Sequence, residues 1–261
     1  MATHQADAKA LMDDRGYSGA LIRGQNPALL FEKAVRDRIT ESYYWKEQCF
    51  GLNAATLCDR AAELTYIGGT YGGMGKATPF LCLAFKLLQL VPEKEIILAY
   101  LNWPEDEERG SGDDGEDEDE SRVPGTKGEF KYLRALAAFY IRLAWEPVEI
   151  YKTLEPLLAD YRKLKRRMRD GFVLTFVDQF VDDLLTKDRV CATSLWKLPP
   201  RTLLEDLDLL DPRESPLGDE VDQLDEDGDE QMENGRDREE REESGEIEDR
   251  SRRGSRSSAE D

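Results

Sequence analysis

The segment 129–145 constrains the fold of this chain more than any other, because it reads as a helix with almost no polar surface. After its first residue, the charged positions are Lys131, Arg134 and Arg142. On a helical wheel they form one narrow stripe, with Ala138 bridging the gap, and apolar residues occupy the remaining faces. A helix of this kind must be surrounded by its neighbours. We therefore predict an all-α, single compact multi-helix domain built around a buried central helix at about 129–145.

The strong acidity of the chain is confined to two segments. The net charge is −20 over 261 residues. Residues 211–261 hold 21 acidic and 8 basic residues, and residues 104–128 hold 11 and 3. Segments with high net charge and few apolar groups do not form a core. The sequence thus predicts a flexible arm at 1–24 and a helical interaction domain at 25–210. It also predicts a disordered acidic insertion at 104–128 and a disordered acidic tail at 211–261 with a short Arg/Ser end.

Capping residues and apolar periodicity divide the domain into further helices. We predict helices over about 26–45, 53–66, 78–90 and 92–103, and another from 146 that kinks or breaks at Pro156. From Leu157 the apolar positions recur at helical spacing (Leu157, Tyr161, Leu164 and Met168), with basic side chains opposite them. Residues 172–187 predict an amphipathic helix with Val173, Val177, Phe180, Val181 and Leu184 inward. A strand over 172–177 is left open, although no partner strand is evident.

The sequence predicts no catalytic, cofactor-binding or metal site. Its one histidine, His4, precedes the predicted domain, which therefore lacks the commonest general base. The four cysteines (Cys49, Cys58, Cys82 and Cys191) lack the paired spacing of a zinc site and are predicted to be buried thiols in a reduced compartment. No apolar run approaches the ~20 residues that span a bilayer, so no membrane association is predicted.

A glycine-rich segment at 68–76 resembles a phosphate-binding loop but does not satisfy its pattern. A P-loop requires glycine, four residues, then glycine, lysine and a hydroxyl residue. Here Gly75 and Lys76 are present, but Thr70 and Ala77 occupy the other required positions. Two interpretations remain open. The segment is either a purely structural turn or a loop that presents Tyr66, Tyr71 and Lys76 to a partner.

Two further stretches are candidate partner-binding surfaces. The run 43–45 is Tyr-Tyr-Trp, and three consecutive rings cannot all point into a core from one helix. Tyr44 and Trp45 are therefore candidates for contact with a partner, the alternative being partly buried rings at the edge of the domain. Asp178, Asp182 and Asp183 lie on the outer side of their predicted helix. They form either a solvated face or a surface for a basic partner helix.

A basic cluster allows three interpretations. Its members are Arg162, Lys163, Lys165, Arg166, Arg167 and Arg169. Clustered cations neutralise the phosphates of nucleic acid, which makes direct RNA binding the alternative function. The same cluster fits a nuclear-import signal or a solvated helix face. No aromatic residue interrupts the run in the way that base-stacking platforms require.

Several motifs resemble the pre-mRNA-processing factor 38 family of splicing proteins. They are Glu41-Ser-Tyr-Tyr-Trp-Lys-Glu47, Tyr66-Ile-Gly-Gly-Thr-Tyr-Gly-Gly73, Thr78-Pro-Phe-Leu-Cys-Leu83, Phe130-Lys-Tyr-Leu-Arg-Ala-Leu136 and Leu154-Glu-Pro-Leu-Leu-Ala-Asp-Tyr-Arg-Lys163. They follow one another along about 26–210. Two features depart from the family pattern: the acidic insertion, and the run from Ser194 to Arg201, where relatives often carry Ile-Leu-Pro-Arg.

The resemblance implies an α-helical, non-enzymatic scaffold in the nucleus. It implies membership of the tri-snRNP-containing precatalytic spliceosome and a requirement in the activation of that assembly. The partners it implies are a microfibrillar-associated-protein-like factor and a zinc-finger splicing factor that supplies its own zinc.

Overall fold

The structure is a computed structural model and describes Tyr17 and residues 19–102 and 130–213. The predicted insertion at 104–128 lies outside these residues, as do most of the predicted arm and the tail beyond 213. Within the segment predicted as an arm, Ile22 is buried in the core. No helix in the described part of the chain is both long and apolar enough to cross a membrane.

Helices form most of the described domain, and short strands join them. The helices are α1 (Lys33–Glu41), α2 (Tyr43–Gln48), α3 (Ala54–Ala62), α4 (Pro79–Leu90), α5 (Lys94–Asn102), α6 (Lys131–Ala144), α7 (Pro147–Leu154), α8 (Val177–Thr186) and α9 (Arg201–Asp206). The strands are β1 (Ile67–Gly68), β2 (Thr70–Tyr71), β3 (Lys76–Ala77), β4 (Lys163–Arg167), β5 (Phe172–Phe176), β6 (Arg189–Val190) and β7 (Thr193–Ser194). Two short 3₁₀ helices occupy Pro27–Leu30 and Glu155–Ala159.

The predicted central helix is confirmed as α6. Helices α3, α4, α5 and α8 pack against it. Its Phe139 ring lies 5.7 Å from the ring of Phe80 and 6.4 Å from that of Phe31, centroid to centroid. Two of the three charged residues of the stripe are buried as well, since Arg134 and Arg142 are each only 2% exposed. The helix is therefore enclosed on nearly all sides, and its two arginines must find partners inside the domain.

Arg142 uses its buried guanidinium to hold the C-terminal segment of the domain. It donates to the carbonyl oxygen of Leu184 at 2.7 Å and to that of Trp196 at 2.6 Å. The indole N–H of Trp196 donates in return to the carbonyl oxygen of Arg142 at 3.2 Å. Burial lowers the pKa of Arg142 to about 10. The run 194–201, which departs from the family pattern, is thus docked through its tryptophan.

Several predicted helix boundaries need correction. The segment predicted as one helix over 26–45 is a 3₁₀ turn followed by α1 and α2. It breaks at Ser42, which adopts extended backbone and caps α2 by accepting from the backbone N–H of Trp45. The predicted helix over 53–66 ends at Ala62, and β1 follows. The predicted break at Pro156 is confirmed, because α7 gives way to a 3₁₀ helix there.

The predicted all-α class is wrong, since three small sheets occur within the described residues. The largest has the strand order β1-β4-β5, with β1 parallel to β4 and β4 antiparallel to β5. Strands β2 and β3 form a hairpin over the glycine-rich segment, and β6 pairs with β7. Strands of two to five residues leave little periodic signal in a sequence, which explains why helical patterns dominated the prediction.

The predicted helix over the basic cluster is also wrong, because these residues form the β4–β5 hairpin. The alternation decides the outcome: Leu164 is fully buried between exposed Lys163 and Lys165, a period of two. The helical spacing of Leu157, Tyr161, Leu164 and Met168 is coincidental, and both Tyr161 and Met168 are exposed. The strand over 172–177 that the sequence leaves open forms as β5 over 172–176, and its partner is β4.

Asp160 joins the hairpin to the central helix. Its carboxylate is fully buried and accepts from Arg134 of α6 at 2.8 Å and from Arg162, just before β4, at 2.6 and 2.8 Å. Its carbonyl oxygen accepts the N–H of Asp178 at 3.0 Å, in the first turn of α8. One residue therefore connects α6, β4 and α8.

We predict that Asp160→Asn destabilises the domain by about 3–5 kcal/mol, because it leaves two guanidinium groups next to a neutral amide in a buried site. Denaturant unfolding followed by circular dichroism measures the change. The matched control is Asp59→Asn at an exposed position of α3, which should change stability by less than about 0.5 kcal/mol. Equal effects of the two substitutions would contradict the structural role of Asp160.

The difference should also depend on pH. Burial alone raises the pKa of the Asp160 carboxyl, but hydrogen bonds from Arg162 and Arg134 outweigh burial and hold this pKa below its ordinary value. A lowered folded pKa stabilises the fold above the unfolded pKa, and the stabilisation is lost as pH falls through the folded value. The stability difference between wild type and Asp160→Asn should therefore shrink on acidification below about pH 4.

Candidate interaction surface

The β4–β5 hairpin separates the basic cluster into inward and outward side chains. Cross-strand pairs place Lys163 opposite Phe176, Lys165 opposite Leu174 and Arg167 opposite Phe172. Because side chains alternate between the faces of a strand, these pairs share one face. Leu164 and Arg166 point to the other face, toward the core.

The inward cations of the cluster are engaged in ion pairs within the domain. Arg166 donates to Asp183 of α8 at 2.9 Å, and Lys187 lies 2.6 Å from the second oxygen of the same carboxylate. Arg162 pairs with Asp160. Burial raises the pKa of the Asp183 carboxyl, but hydrogen bonds from Lys187 and Arg166 more than compensate and lower it overall. These two arginines thus stabilise the fold.

The outward cations surround the ring of Phe172. The ammonium nitrogen of Lys165 lies 4.1 Å from the centroid of this ring, and the guanidinium carbon of Arg167 lies 4.6 Å from it. Tyr66 meets the same ring edge to face at 5.4 Å, and Arg167 also stacks on Tyr71 at 4.9 Å. We call this surface the outer sheet face; it comprises Tyr66, Tyr71, Lys163, Lys165, Arg167, Phe172, Leu174 and Phe176.

Glycines bring the segment 66–77 against the hairpin. A Cβ at Gly68, where φ is +154°, would lie 2.8 Å from the carbonyl oxygen of Arg167. The parallel pairing of β1 with β4 therefore requires glycine at this position. The N–H of Gly72 donates to the carbonyl oxygen of Arg169 at 2.8 Å, which links the two hairpins. Of the two interpretations of this segment, presentation of Tyr66 and Tyr71 stays a prediction, and the close packing shows a structural role as well.

The structure brings together some of the predicted contact residues and separates others. Tyr66, Tyr71, Lys163, Lys165 and Arg167 share the outer sheet face. Lys76 is exposed on β3, opposite Tyr71. Arg169 is exposed at the hairpin turn.

The remaining candidates lie apart from that surface. Trp45 is buried, with its ring 5.2 Å from that of Phe85, so its position indicates a core role. Tyr44 is half-buried, and burial raises its pKa. The exposed ring of this run belongs to Tyr43, which is 76% exposed. The acidic residues also divide, since Asp182 is exposed, Asp178 is half-buried and Asp183 is buried.

Sequence reasoning missed the apolar half of the outer sheet face. Phe172, Leu174 and Phe176 are exposed, and Val173, predicted to lie inward, is 53% exposed. The remaining inward predictions for α8, Val177, Phe180, Val181 and Leu184, are confirmed as buried. One available signal was the Asp170-Gly171 pair, a turn signal between a run of alternating character and a β-branched and aromatic run.

The described residues offer little for chemistry at a metal or a thiol. No group of three or more histidine, cysteine, aspartate or glutamate side chains in 19–102 and 130–213 is arranged to hold a metal ion. Cys49, Cys82 and Cys191 are buried, Cys58 is partly buried, and all four are free thiols. Burial raises the pKa of the Cys82 and Cys191 thiols to about 12, so both are protonated and poor nucleophiles at neutral pH.

The described residues form a helix-rich domain with three small sheets, and its outer sheet face combines exposed cations with exposed apolar side chains. The PRP38 family model matches residues 20–208, and the chain belongs to the PRP38 family.

Curated relatives carry the name pre-mRNA-splicing factor. Pre-mRNA-splicing factor 38 of Schizosaccharomyces pombe is 49% identical over 80% of this chain and 87% of its own length. Pre-mRNA-splicing factor 38A of Danio rerio is 44% identical over 78% of this chain. The chain spans 58% of that zebrafish protein and 50% of pre-mRNA-splicing factor 38 of Arabidopsis thaliana.

A solved structure is also similar to this fold. It is a chain in the crystal structure of the Snu23-Prp38-MFAP1(217-258) complex of Chaetomium thermophilum, with a TM-score of 0.67 and 52% sequence identity. The match covers 81% of this chain and 98% of that chain. At this identity the likeness extends beyond the fold to the sequence of the domain.

We predict that the adjacent residues Asp182 and Asp183 respond differently to the same substitution. Asp183→Asn removes the buried carboxylate charge that pairs with Arg166, and it should lower the free energy of unfolding by about 1–3 kcal/mol. Asp182→Asn, at an exposed position, should change it by less than about 0.5 kcal/mol. Urea titration of both variants measures the effect, and a larger loss for Asp182→Asn would contradict the ion-pair geometry of β4 and α8.

Proposed function

We propose that this chain is a nuclear, non-enzymatic scaffold of the precatalytic, tri-snRNP-containing spliceosome and is required for its activation. The observation that carries the proposal is the 52% identity to a chain in a complex of Snu23, Prp38 and MFAP1, over nearly the whole of that chain. Membership of the PRP38 family supports the assignment to splicing. The nuclear location follows from the splicing role.

The proposed partners are a microfibrillar-associated-protein-like factor, corresponding to MFAP1, and a zinc-finger splicing factor, corresponding to Snu23. In this proposal the zinc belongs to the partner. The PRP38 family model matches residues 20–208, which supports assigning the binding of both partners to the helix-rich domain in this proposal.

The outer sheet face is the proposed contact surface with the most physical support. Lys163, Lys165 and Arg167 form no ion pair with a carboxylate among the described residues. Beside them lie exposed apolar side chains of β5. A surface that combines unpaired cations with exposed aromatic and aliphatic groups has both steering charge and area to bury. Tyr44, Lys76, Asp178 and Asp182 remain predicted contacts at other places.

The expected outcome for Arg167→Glu is loss of at least one splicing partner. This residue contacts the rings of both Tyr71 and Phe172, so reversing its charge disrupts the outer sheet face at its centre. Affinity capture of the full chain from nuclear extract, followed by quantitative mass spectrometry, measures recovery. Wild type should recover the MFAP1-like and Snu23-like proteins, and the variant should reduce at least one of them about tenfold.

Lys152→Glu is the matched control, because it makes the same charge change at an exposed position of α7. It should leave recovery unchanged. If wild type recovers no splicing protein under these conditions, the proposed function is wrong. If Arg167→Glu recovers all partners at the wild-type level, the function stands and this surface is not the contact.

Direct RNA binding is the second candidate function. The observation that favours it is the row of outward cations on β4 next to aromatic rings. This arrangement cannot be predicted from the order of the residues alone. It predicts binding of single-stranded RNA that weakens steeply with salt and is lost in the Lys163→Glu, Lys165→Glu double variant. Fluorescence anisotropy with oligouridylate measures this. Flat binding curves at low salt would exclude RNA as the ligand.

A further inference from the structure

In the part of the chain that the structure describes, strand β5 has an unpaired outer edge with apolar side chains. It lies at the end of the β1-β4-β5 order, so in the described domain no other strand pairs with its outer side. The backbone N–H of Met168 donates to the carbonyl oxygen of Gly171, and that of Val177 donates to the carbonyl oxygen of Arg162. These two bonds, at either end of the hairpin, determine which cross-strand residue pairs are hydrogen-bonded. Antiparallel ladders bond at every second pair, so Val173 and Thr175 bond to β4. The backbone groups of Phe172 and Leu174 therefore point outward.

The side chains along this edge are apolar and accessible. Phe172, Val173 and Leu174 are 45%, 53% and 60% exposed. The sequence of β5, Phe-Val-Leu-Thr-Phe, contains neither proline nor charge. Edge strands are normally protected by a charged side chain, a proline or a covering segment, because an open edge accepts another strand. An unprotected apolar edge of this kind is typical of a strand that is covered by a partner.

The positive charge on β4, next to the edge of β5, favours an acidic partner. Lys163, Lys165 and Arg167 stand on β4, one strand away and on the same face as Phe172, Leu174 and Phe176. None of the three cations has a carboxylate partner among the described residues, and Arg169 adds a further exposed cation at the turn. Acidic side chains that alternate with apolar ones would complement this surface, since both faces of an added strand are then satisfied.

We propose that the outer edge of β5 receives an extended, acidic segment of a partner protein, which adds a fourth strand to the sheet. The added strand bonds to the backbone N–H and carbonyl groups of Phe172 and Leu174. Its apolar side chains cover Val173 on the inner face of the sheet, and its carboxylates lie on the outer face, toward Lys163, Lys165 and Arg167. This inference rests on the proposed scaffold function and names the kind of segment that one contact surface takes.

Protein fits this edge better than RNA. Base stacking needs free ring faces, and the ring of Phe172 is already contacted by Lys165, Arg167 and Tyr66. The most exposed side chain of β5 is that of Leu174, which offers no stacking surface. Outward N–H and carbonyl groups alternate along β5 at the repeat of a strand, which matches a peptide backbone and not a row of phosphates.

The first test is a titration of the full chain with a short peptide of alternating glutamate and valine, followed by backbone amide resonances. The amides of Phe172 and Leu174 should shift and become protected from hydrogen exchange. A matched peptide of alternating lysine and valine should bind at least about tenfold more weakly. No shift with either peptide, or equal binding of both, would overturn the proposal.

Leu174→Pro tests the backbone contact directly. Proline removes an N–H that points outward and leaves the bonds of Val173 and Thr175 to β4 in place, which edge strands tolerate. It should weaken peptide binding about tenfold. Leu174→Thr keeps the N–H and the strand propensity and should weaken binding by about threefold or less. Lys165→Glu should reduce the preference for the acidic peptide, because it lowers the positive charge of the outer sheet face. Thermal unfolding of each variant confirms that it is folded, and equal affinity of the proline and threonine variants would reject strand addition.

Capture from nuclear extract separates this inference from the proposed function. If wild type recovers splicing proteins but Leu174→Pro recovers the same set at the same level, strand addition is wrong and the scaffold function stands. If wild type recovers no splicing protein, the function fails, and the peptide titration still decides the property of the edge.

If RNA or another segment of this chain occupies the β5 edge, the same resonance experiments give a different result. Shifts with oligouridylate and none with the acidic peptide would mean an RNA surface and overturn the proposal. Slow exchange of the Phe172 and Leu174 amides in the free full chain would mean that another segment of this chain already covers the edge. That result would also overturn a partner strand.

Discussion

The buried carboxylate of Asp160 holds together the elements on which the rest of the structure depends. It accepts from Arg134 in the enclosed helix α6 and from Arg162 at the entrance to β4. Taking three charges out of water is costly, and the cost is offset only when hydrogen bonds satisfy them in good geometry. Arg134 therefore donates a further bond to the carbonyl oxygen of Leu101, which ties α5 to the same point. The helical core and the sheet meet at this carboxylate.

A fixed hairpin explains the character of the outer sheet face. Asp160 and Asp183 engage the cations that point inward, so that Lys163, Lys165 and Arg167 remain on the outside. The same strand alternation that directs Leu164 into the core determines which cations are available to a partner. The register of β4 against β5 therefore determines both which cations form buried ion pairs and which cations lie on the outer sheet face. A shift of one residue in that register would exchange the two sets of side chains.

The sequence predicts the local features of this fold well and the long-range ones poorly. Helix α6 and the α4 segment after Thr78 were predicted nearly to the residue, because an apolar wheel and a capping residue are signals within one helix. The pairing of Ile67 with Arg166 joins residues about a hundred positions apart and has no local signal. The helical interpretation of the basic cluster failed for a different reason, because Leu157, Tyr161, Leu164 and Met168 recur at helical spacing by coincidence, and the all-α class failed with it.

For the candidate surface too, the sequence predicts the local features and not the long-range contacts. Tyr66, Tyr71 and the basic cluster were each singled out from composition and spacing, but nothing in the order of the residues predicted that they meet. Their meeting requires glycine at position 68, where a side chain would collide with Arg167. Asp183 appeared as one of three exposed acids, and only the packing of α8 against β4 shows that it is buried. The PRP38 resemblance was confirmed because its motifs are themselves contiguous runs of residues.

We expect the buried ion pairs of Asp160 to make the β4–β5 hairpin part of the same cooperative unit as helix α6. Native-state hydrogen exchange of the full chain tests it most directly, by comparing the ladder amides of Val173 and Thr175 with amides in the middle of α6. The opening free energies of the two groups should lie within about 1 kcal/mol of each other, as expected for one cooperative unit. Opening of the hairpin amides several kcal/mol below those of α6 would contradict it, because the hairpin would then fluctuate independently of the core.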